Sequence, residues 1–221
     1  MPPGRLTALQ ERVLIVLAGV DPPWTLSGGG ALAGFYTAHR ETRDLDLFWQ
    51  QRRDLADSVD AVMAMLEHAG LEATVLQTGE AFTRLSVRDG AASVTVDLVA
   101  DPVPLAEAPR LVTIAGATFL VDTPHQILVN KLCAILGRSE LRDLEDIKAL
   151  LESGGDLERA LQDCPRQDAG FSPMTLAWTL QGLPLQRLAL VKGWRPEHIE
   201  QMARFRDSLV DQLVQHARPQ Q

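Results

Sequence analysis

Two aspartates one residue apart, Asp44 and Asp46 in the stretch DLDLFW, are the first residues whose spacing could do chemistry. On a strand, side chains at i and i+2 leave the same face, so both carboxylates can reach one divalent cation or bridge two. Mg²⁺ favours such a pair, because it binds through a few carboxylates and fills its shell with water and substrate phosphate. Upstream, Ser27-Gly28-Gly29-Gly30 leads into an apolar run. A glycine turn from strand to helix lets backbone N–H groups approach a phosphate, and the helix N-terminus favours its negative charge. Together the two features describe a metal–nucleotide site. A third carboxylate, Asp97 in SVTVDLVA, could complete the metal shell or take the proton from an attacking hydroxyl. Taken singly, a GGG run is commonly a flexible turn and a lone DxD a solvated strand edge. It is their order along the chain that points to a site.

The elements that must position these groups follow from periodicity. Leu6, Leu9, Val13, Val16 and Leu17 recur at helical spacing and predict a helix over 5–19, ended by Gly19 and the break at Asp21-Pro22-Pro23. Trp24 to Ser27 reads as a short buried strand and Ala31 to Ala38 as a helix. Asp44 to Trp49 alternates as a strand, with Leu45 and Leu47 on one face and Asp44, Asp46 and Phe48 on the other. A helix over 53–69 closes at Gly70. Strands follow at Leu71–Gln77, Phe82–Val87 and Ser93–Val99, the last two joined as a hairpin by the Asp89-Gly90 turn. From Thr123-Pro124 the pattern turns helical, with Thr123 as a cap, and helices are expected at 124–137, 140–152, 156–163, 173–181 and 196–216. The boundary between an α/β half, 1–123, and a helical half, 124–221, is therefore placed near residue 123.

The 221 residues, 46% hydrophobic and 23% charged, suit a soluble globular chain of one large domain or two small ones. No apolar stretch nears the roughly 20 residues that cross a bilayer, so no membrane partner is expected. The start of the chain lacks the pattern of a secretory signal, which predicts a cytoplasmic protein. Cys133 and Cys164 make neither a disulfide framework nor a zinc motif. A net charge of −8 opposes nucleic-acid binding by the whole protein's field. It permits a local basic surface, and His39, Arg40, Arg43, Arg52 and Arg53 flank the Asp pair.

The order of GGxAL before HRxTxDLDLF, with the later NKLCAILGR and RDLEDI, resembles the AbiEii/AbiGii-type nucleotidyltransferase toxins. These belong to the DNA polymerase β-like nucleotidyltransferase superfamily, and the resemblance covers about residues 24–152. It implies an α+β fold: a nucleotidyltransferase-like mixed β-sheet core with flanking helices, followed by a C-terminal helical half. It also implies Mg²⁺, a nucleoside triphosphate as substrate, tRNA as acceptor, and an antitoxin partner in a toxin–antitoxin pair. By the resemblance the glycine turn falls on Gly29-Gly30, the metal carboxylates on Asp44 and Asp46, and the KLxAxxxR block on Lys131, Leu132, Ala134 and Arg138. The following acidic block falls on Asp143 and Asp146, which share a helix face at i, i+3. Lys131 would neutralise phosphate charge, with Asp143 orienting it or Arg138.

Two positions depart from the family's pattern. Gly30 stands where Ser or Thr is usual, and Glu140 where a basic residue is usual. Ser27 is the hydroxyl nearest in sequence that could compensate for Gly30.

The expected catalytic set is Asp44, Asp46, Asp97, Lys131 and Asp143, with Asp44, Asp46 and Asp97 as metal ligands. Ser27, Gly28, Gly29, Gly30, Arg40, Lys131 and Arg138 are expected to hold the nucleotide. The expected reaction transfers a nucleoside monophosphate from an NTP to an acceptor hydroxyl. Two other readings stay open: a catalytically degenerate nucleotide- or antitoxin-binding protein, which Gly30 and Glu140 favour, and a small-molecule nucleotidyltransferase of the aminoglycoside-modifying kind.

Overall fold

A computed structural model describes residues 4–138 and 140–217. The chain divides into two compact units, Met1–Ile127 and Leu128–Gln221. In the first, α1 (Ala8–Leu17), β1 (Thr25–Ser27), α2 (Gly28–Phe35), β2 (Asp44–Gln50) and α3 (Ser58–His68) precede five strands. These are β3 (Glu72–Thr78), β4 (Phe82–Asp89), β5 (Ala92–Asp101), β6 (Arg110–Ile114) and β7 (Ala117–Val121). They form one seven-stranded sheet in the order β3-β4-β5-β2-β1-β7-β6. The β2–β5 and β1–β7 pairs are parallel and the other four pairs antiparallel.

Strict alternation along β2 explains which way the sheet turns. Leu45, Leu47 and Trp49 are buried while Asp44, Asp46, Phe48 and Gln50 are half-buried. Leu26, Val96, Leu98 and Val121 share the buried face, where α1 and α3 pack. Two tryptophans close this core with their polar atoms satisfied: Trp24 Nε1 donates to Leu17 O at 2.7 Å and Trp49 Nε1 to Pro22 O at 2.9 Å. Thr7 starts α1 with a reciprocal capping box to Gln10, later than the expected start at residue 5. The hairpin β4–β5 forms as expected, but its turn is Gly90-Ala91, one residue beyond the expected Asp89-Gly90, because Asp89 still pairs with Ala92. Strands β6 and β7 are an addition to the sequence reading. Their turn is Ala115-Gly116, both at positive φ, and Ala-Gly is not a pair that announces such a turn.

The second unit takes up α4 (Pro124–Gly137) from Leu128 onward, then α5 (Leu141–Glu152), α6 (Leu157–Gln167), α7 (Pro173–Gly182), α8 (Leu185–Val191) and α9 (Pro196–His216). Asp156 caps α6 and Ser172 caps α7 through their side chains. The long α9 lies against α5, α7 and α8 and buries Met202, Leu209 and Leu213. The short α8 escaped the sequence reading because seven residues hold too few apolar repeats to declare a period. Trp178 on α7 is 66% exposed. No helix among the described residues is long and apolar enough to cross a membrane.

Candidate active site

The polar face of the sheet gathers the acidic residues into one row. Asp46 on β2 pairs in register with Asp97 on β5 and with Ser27 on β1. Asp44, two residues earlier on the same face, lies beside Thr95. Neighbouring strands are about 4.8 Å apart, so Asp44, Asp46 and Asp97 share one small patch. Their surroundings differ. Asp44 accepts a hydrogen bond from the Thr42 hydroxyl at 2.9 Å, and that hydroxyl also reaches the Asp44 backbone O at 3.1 Å. Asp97 is buried and held bidentately by Arg84, at 2.7 and 2.6 Å. The bond to Asp97 raises the Arg84 pKa above its ordinary value. Among the described residues no three acidic, histidine or cysteine side chains are gathered as a metal-binding set. Both Asp97 oxygens face a guanidinium, and Asp44 and Asp46 supply the other carboxylates of the patch.

Each glycine of the turn is explained by a close neighbour. Gly28 opens α2 at φ +60, and a Cβ there would overlap the Asp46 carboxylate, which leans over the start of the helix. A Cβ on Gly29 would meet Arg40 Nη2 at 2.9 Å and Thr42 Oγ1 at 3.0 Å. A Cβ on Gly30 would meet Leu26 Cδ1 and Leu45 Cδ2, both at 3.2 Å. The side of Gly30 that a side chain would occupy thus faces the apolar core, so a hydroxyl there would be directed away from the turn. The hydroxyl that does stand over the turn is Thr42's. Its loop is anchored by Gln10 Nε2, which donates to Thr42 O at 3.0 Å. A glycine start lowers helix propensity, yet it leaves the first amides of α2 beside a guanidinium, a hydroxyl and a carboxylate pair.

The row extends one strand further than expected. The parallel register Leu26↔Val121 and the bond from Asp122 N to Leu26 O at 2.9 Å put Asp122 next to Ser27. Asp122 is fully buried, and neither carboxylate oxygen has a hydrogen-bond partner among the described residues. Burial pushes its pKa up to about 6. The Ser27 hydroxyl beside it pulls the other way without closing a hydrogen bond of ordinary geometry, and the Asp101 charge adds to the rise.

In the helical unit, Lys131 on α4 is 6% exposed and donates to Asp143 Oδ1 at 2.7 Å and Asp146 Oδ2 at 2.8 Å. Arg138 grips the same Asp143 through Nε at 2.8 Å and Nη2 at 3.0 Å. Burial pushes the Asp143 carboxyl up, but Arg138 and Lys131 outweigh it and hold it below the ordinary range. The i, i+3 spacing of Asp143 and Asp146 does bring both to one lysine. An ammonium has three N–H donors, and Asp143 and Asp146 take two of them here. Glu140, the N-cap residue of α5, is ion-paired with Arg142.

Three residues of these clusters were missed or given no role in the sequence reading. Arg84 was out of reach, because the expected turn at Asp89-Gly90 would put it opposite Thr95, and only the observed register Asp89↔Ala92 sets it opposite Asp97. Thr42 lay in the quoted motif, but its reach over Gly29 depends on a loop that follows no period. Asp122 had no signal, since its place follows from the unread strand β7. The four arginines expected to form one basic surface are also separated: Arg40 and Arg43 precede β2, whereas Arg52 and Arg53 follow it. A seven-residue strand puts the two pairs more than about 20 Å apart along the chain.

Solved structures share this fold. A Helicobacter pylori structure described as a nucleotidyltransferase aligns at a TM-score of 0.53 and 20% identity, over 95% of this chain and 95% of that one. The nucleotidyltransferase toxin MenT4 from Mycobacterium tuberculosis aligns at 0.56 and 16% identity, over 93% and 91%. JHP933 from Helicobacter pylori aligns at 0.50 and 20% identity, over 94% and 91%. No curated protein matches in sequence. The family model "Nucleotidyl transferase AbiEii toxin, Type IV TA system" matches residues 12–216, nearly the full length. With that match, the chain belongs to the AbiEii nucleotidyltransferase toxin family.

Proposed function

We propose that this nucleotidyltransferase transfers a nucleoside monophosphate from an NTP to a hydroxyl of tRNA, with Mg²⁺, as the toxin partner of an antitoxin. The observation that carries the reading is the Asp46 carboxylate leaning over the start of α2, in space that only a glycine at position 28 leaves open. That contact supports a single site in which an acid pair and open helix amides meet one triphosphate. Asp44 and Asp46 fit a divalent cation, being hard anionic oxygens on one face beside a phosphate-sized glycine turn. Bound there, Mg²⁺ would offset the charge that builds on the triphosphate oxygens. Gly29 and Gly30 amides seat the phosphates and Arg40 covers them. The acceptor oxygen forms a bond to the α-phosphorus as the bond to the β-phosphate oxygen breaks, and pyrophosphate leaves. The acceptor's proton goes to a base; Asp97 serves if Arg84 releases one of its oxygens.

Labelled-NTP transfer to total tRNA, with each of the four NTPs, tests this. Incorporation by the wild type and a loss of at least about a hundredfold in Asp46→Asn, with the melting temperature kept, is the expected result. Nucleotide binding without incorporation into any RNA would overturn the tRNA assignment, and transfer to a small hydroxylated acceptor with tRNA inert would replace it.

A further inference from the structure

The start of α2 differs from the other capped helices in one respect. Thr7, Asp156 and Ser172 each accept a backbone N–H at the start of their own helix, as such residues do at an N-cap. Ser27 is the N-cap residue of α2 and has extended backbone, but its hydroxyl makes no cap bond. It is 2% exposed, so water does not replace that bond freely. Beside it stands Asp122, fully buried, with both oxygens unpartnered among the described residues. A buried carboxylate with no donor is costly and calls for a reason.

We infer that Asp122 is a positioning residue that draws the Ser27 hydroxyl away from the N-terminus of α2 and so keeps the Gly29 and Gly30 amides open for the nucleotide phosphate. The inference rests on the nucleotide reading of this turn. A serine hydroxyl has one proton to donate, and rotation about Cα–Cβ carries its oxygen from one set of neighbours to another. Turned toward Asp122 it donates to a carboxylate, which is a stronger acceptor than its alternatives. Turned the other way, its oxygen would accept from Gly29 or Gly30 and occupy the donors that a phosphate needs. The cap bond that Ser27 does not make thereby leaves those donors for a phosphate. Ser27 then acts by staying off the turn and needs no contact with the phosphate.

The test joins two measurements on Asp122→Ala, Asp122→Asn and Asp122→Ala/Ser27→Ala. In the nucleotide-free proteins, ¹H–¹⁵N spectra report the Gly29 and Gly30 amides. These should shift in Asp122→Ala, where Ser27 is released to cap, and return in the double variant, which has no hydroxyl. Calorimetric titration with each NTP and Mg²⁺ should show about fivefold weaker binding in Asp122→Ala, the worth of one cap, with most of the loss recovered in the double variant. Asp122→Asn keeps an acceptor oxygen and should bind as the wild type does. Unmoved amides in Asp122→Ala, or a double variant as weak as the single one, would overturn the inference. A wild type that binds no NTP while its amides respond as described would instead sink the nucleotide reading of the turn, and with it the role given to the open amides. If Asp122→Ala does not fold, amides in Asp122→Leu that match the wild type count against the inference and shifted ones for it.

Discussion

Asp122 shows what one residue's placement costs. Burial and the Asp101 charge move its pKa from 3.8 to about 6, so the folded protein holds this proton more tightly than the unfolded chain does. Stability from this group is therefore complete below the unfolded value near 3.8 and is lost as pH rises, the loss being full above about 6. At about 1.4 kcal/mol per unit the loss is on the order of 2–3 kcal/mol. Asp122→Asn should accordingly melt several degrees above the wild type at pH 8 and close to it at pH 4, by thermal denaturation across that range. Equal melting temperatures at pH 8 would mean that the carboxylate is better solvated than its surroundings imply. Gly30 shows the reverse, since its departure from the family's Ser or Thr is accommodated by packing against Leu26 and Leu45, and Thr42 brings a hydroxyl to the turn from another element.

At the scale of elements, α4 and α5 are joined by buried charge as well as by apolar packing. Lys131, Asp143 and Asp146 are all 6% exposed or less, and removing the ammonium leaves two carboxylates inside. Lys131→Met should destabilise the chain by roughly 3–5 kcal/mol, whereas Arg138→Met, with a side chain 46% exposed, should cost less than about 1 kcal/mol. Urea unfolding of both variants checks this ordering, and similar midpoints would show that the buried cluster relaxes or hydrates. A drop in transfer activity in Lys131→Met thus has to be read beside its stability before it counts as chemistry. The helices themselves were legible, because α5 carries Leu141, Leu144, Ile147 and Leu150 at strict helical spacing. That Asp143 would serve two cations at once was not, since the spacing places it on a face without saying what faces it.

For the molecule as a whole, a net charge of −8 means that the tRNA acceptor proposed above would have to be met by local basic groups. With Arg43 next to Asp44 and Arg53 beyond the far end of β2, charge reversal should weaken tRNA binding more at Arg43 than at Arg53. Filter binding at low and moderate salt measures the difference, and equal losses would mean that the acceptor runs the length of the strand. The sequence by itself determined the acid pair, its common face, the glycine turn, the hairpin that carries Asp97 and the helical character after residue 123. Each of these rests on chain-local geometry, namely a period of 2 or 3.6 or the chemistry of a turn. Only the tertiary structure decided that Arg84 holds both oxygens of Asp97, that Thr42 covers Gly29, and that Asp122 ends the row beside Ser27. Those contacts depend on which strands become neighbours and on how a loop returns. Parallel pairs such as β1–β7 join segments almost a hundred residues apart, and no local pattern records their register.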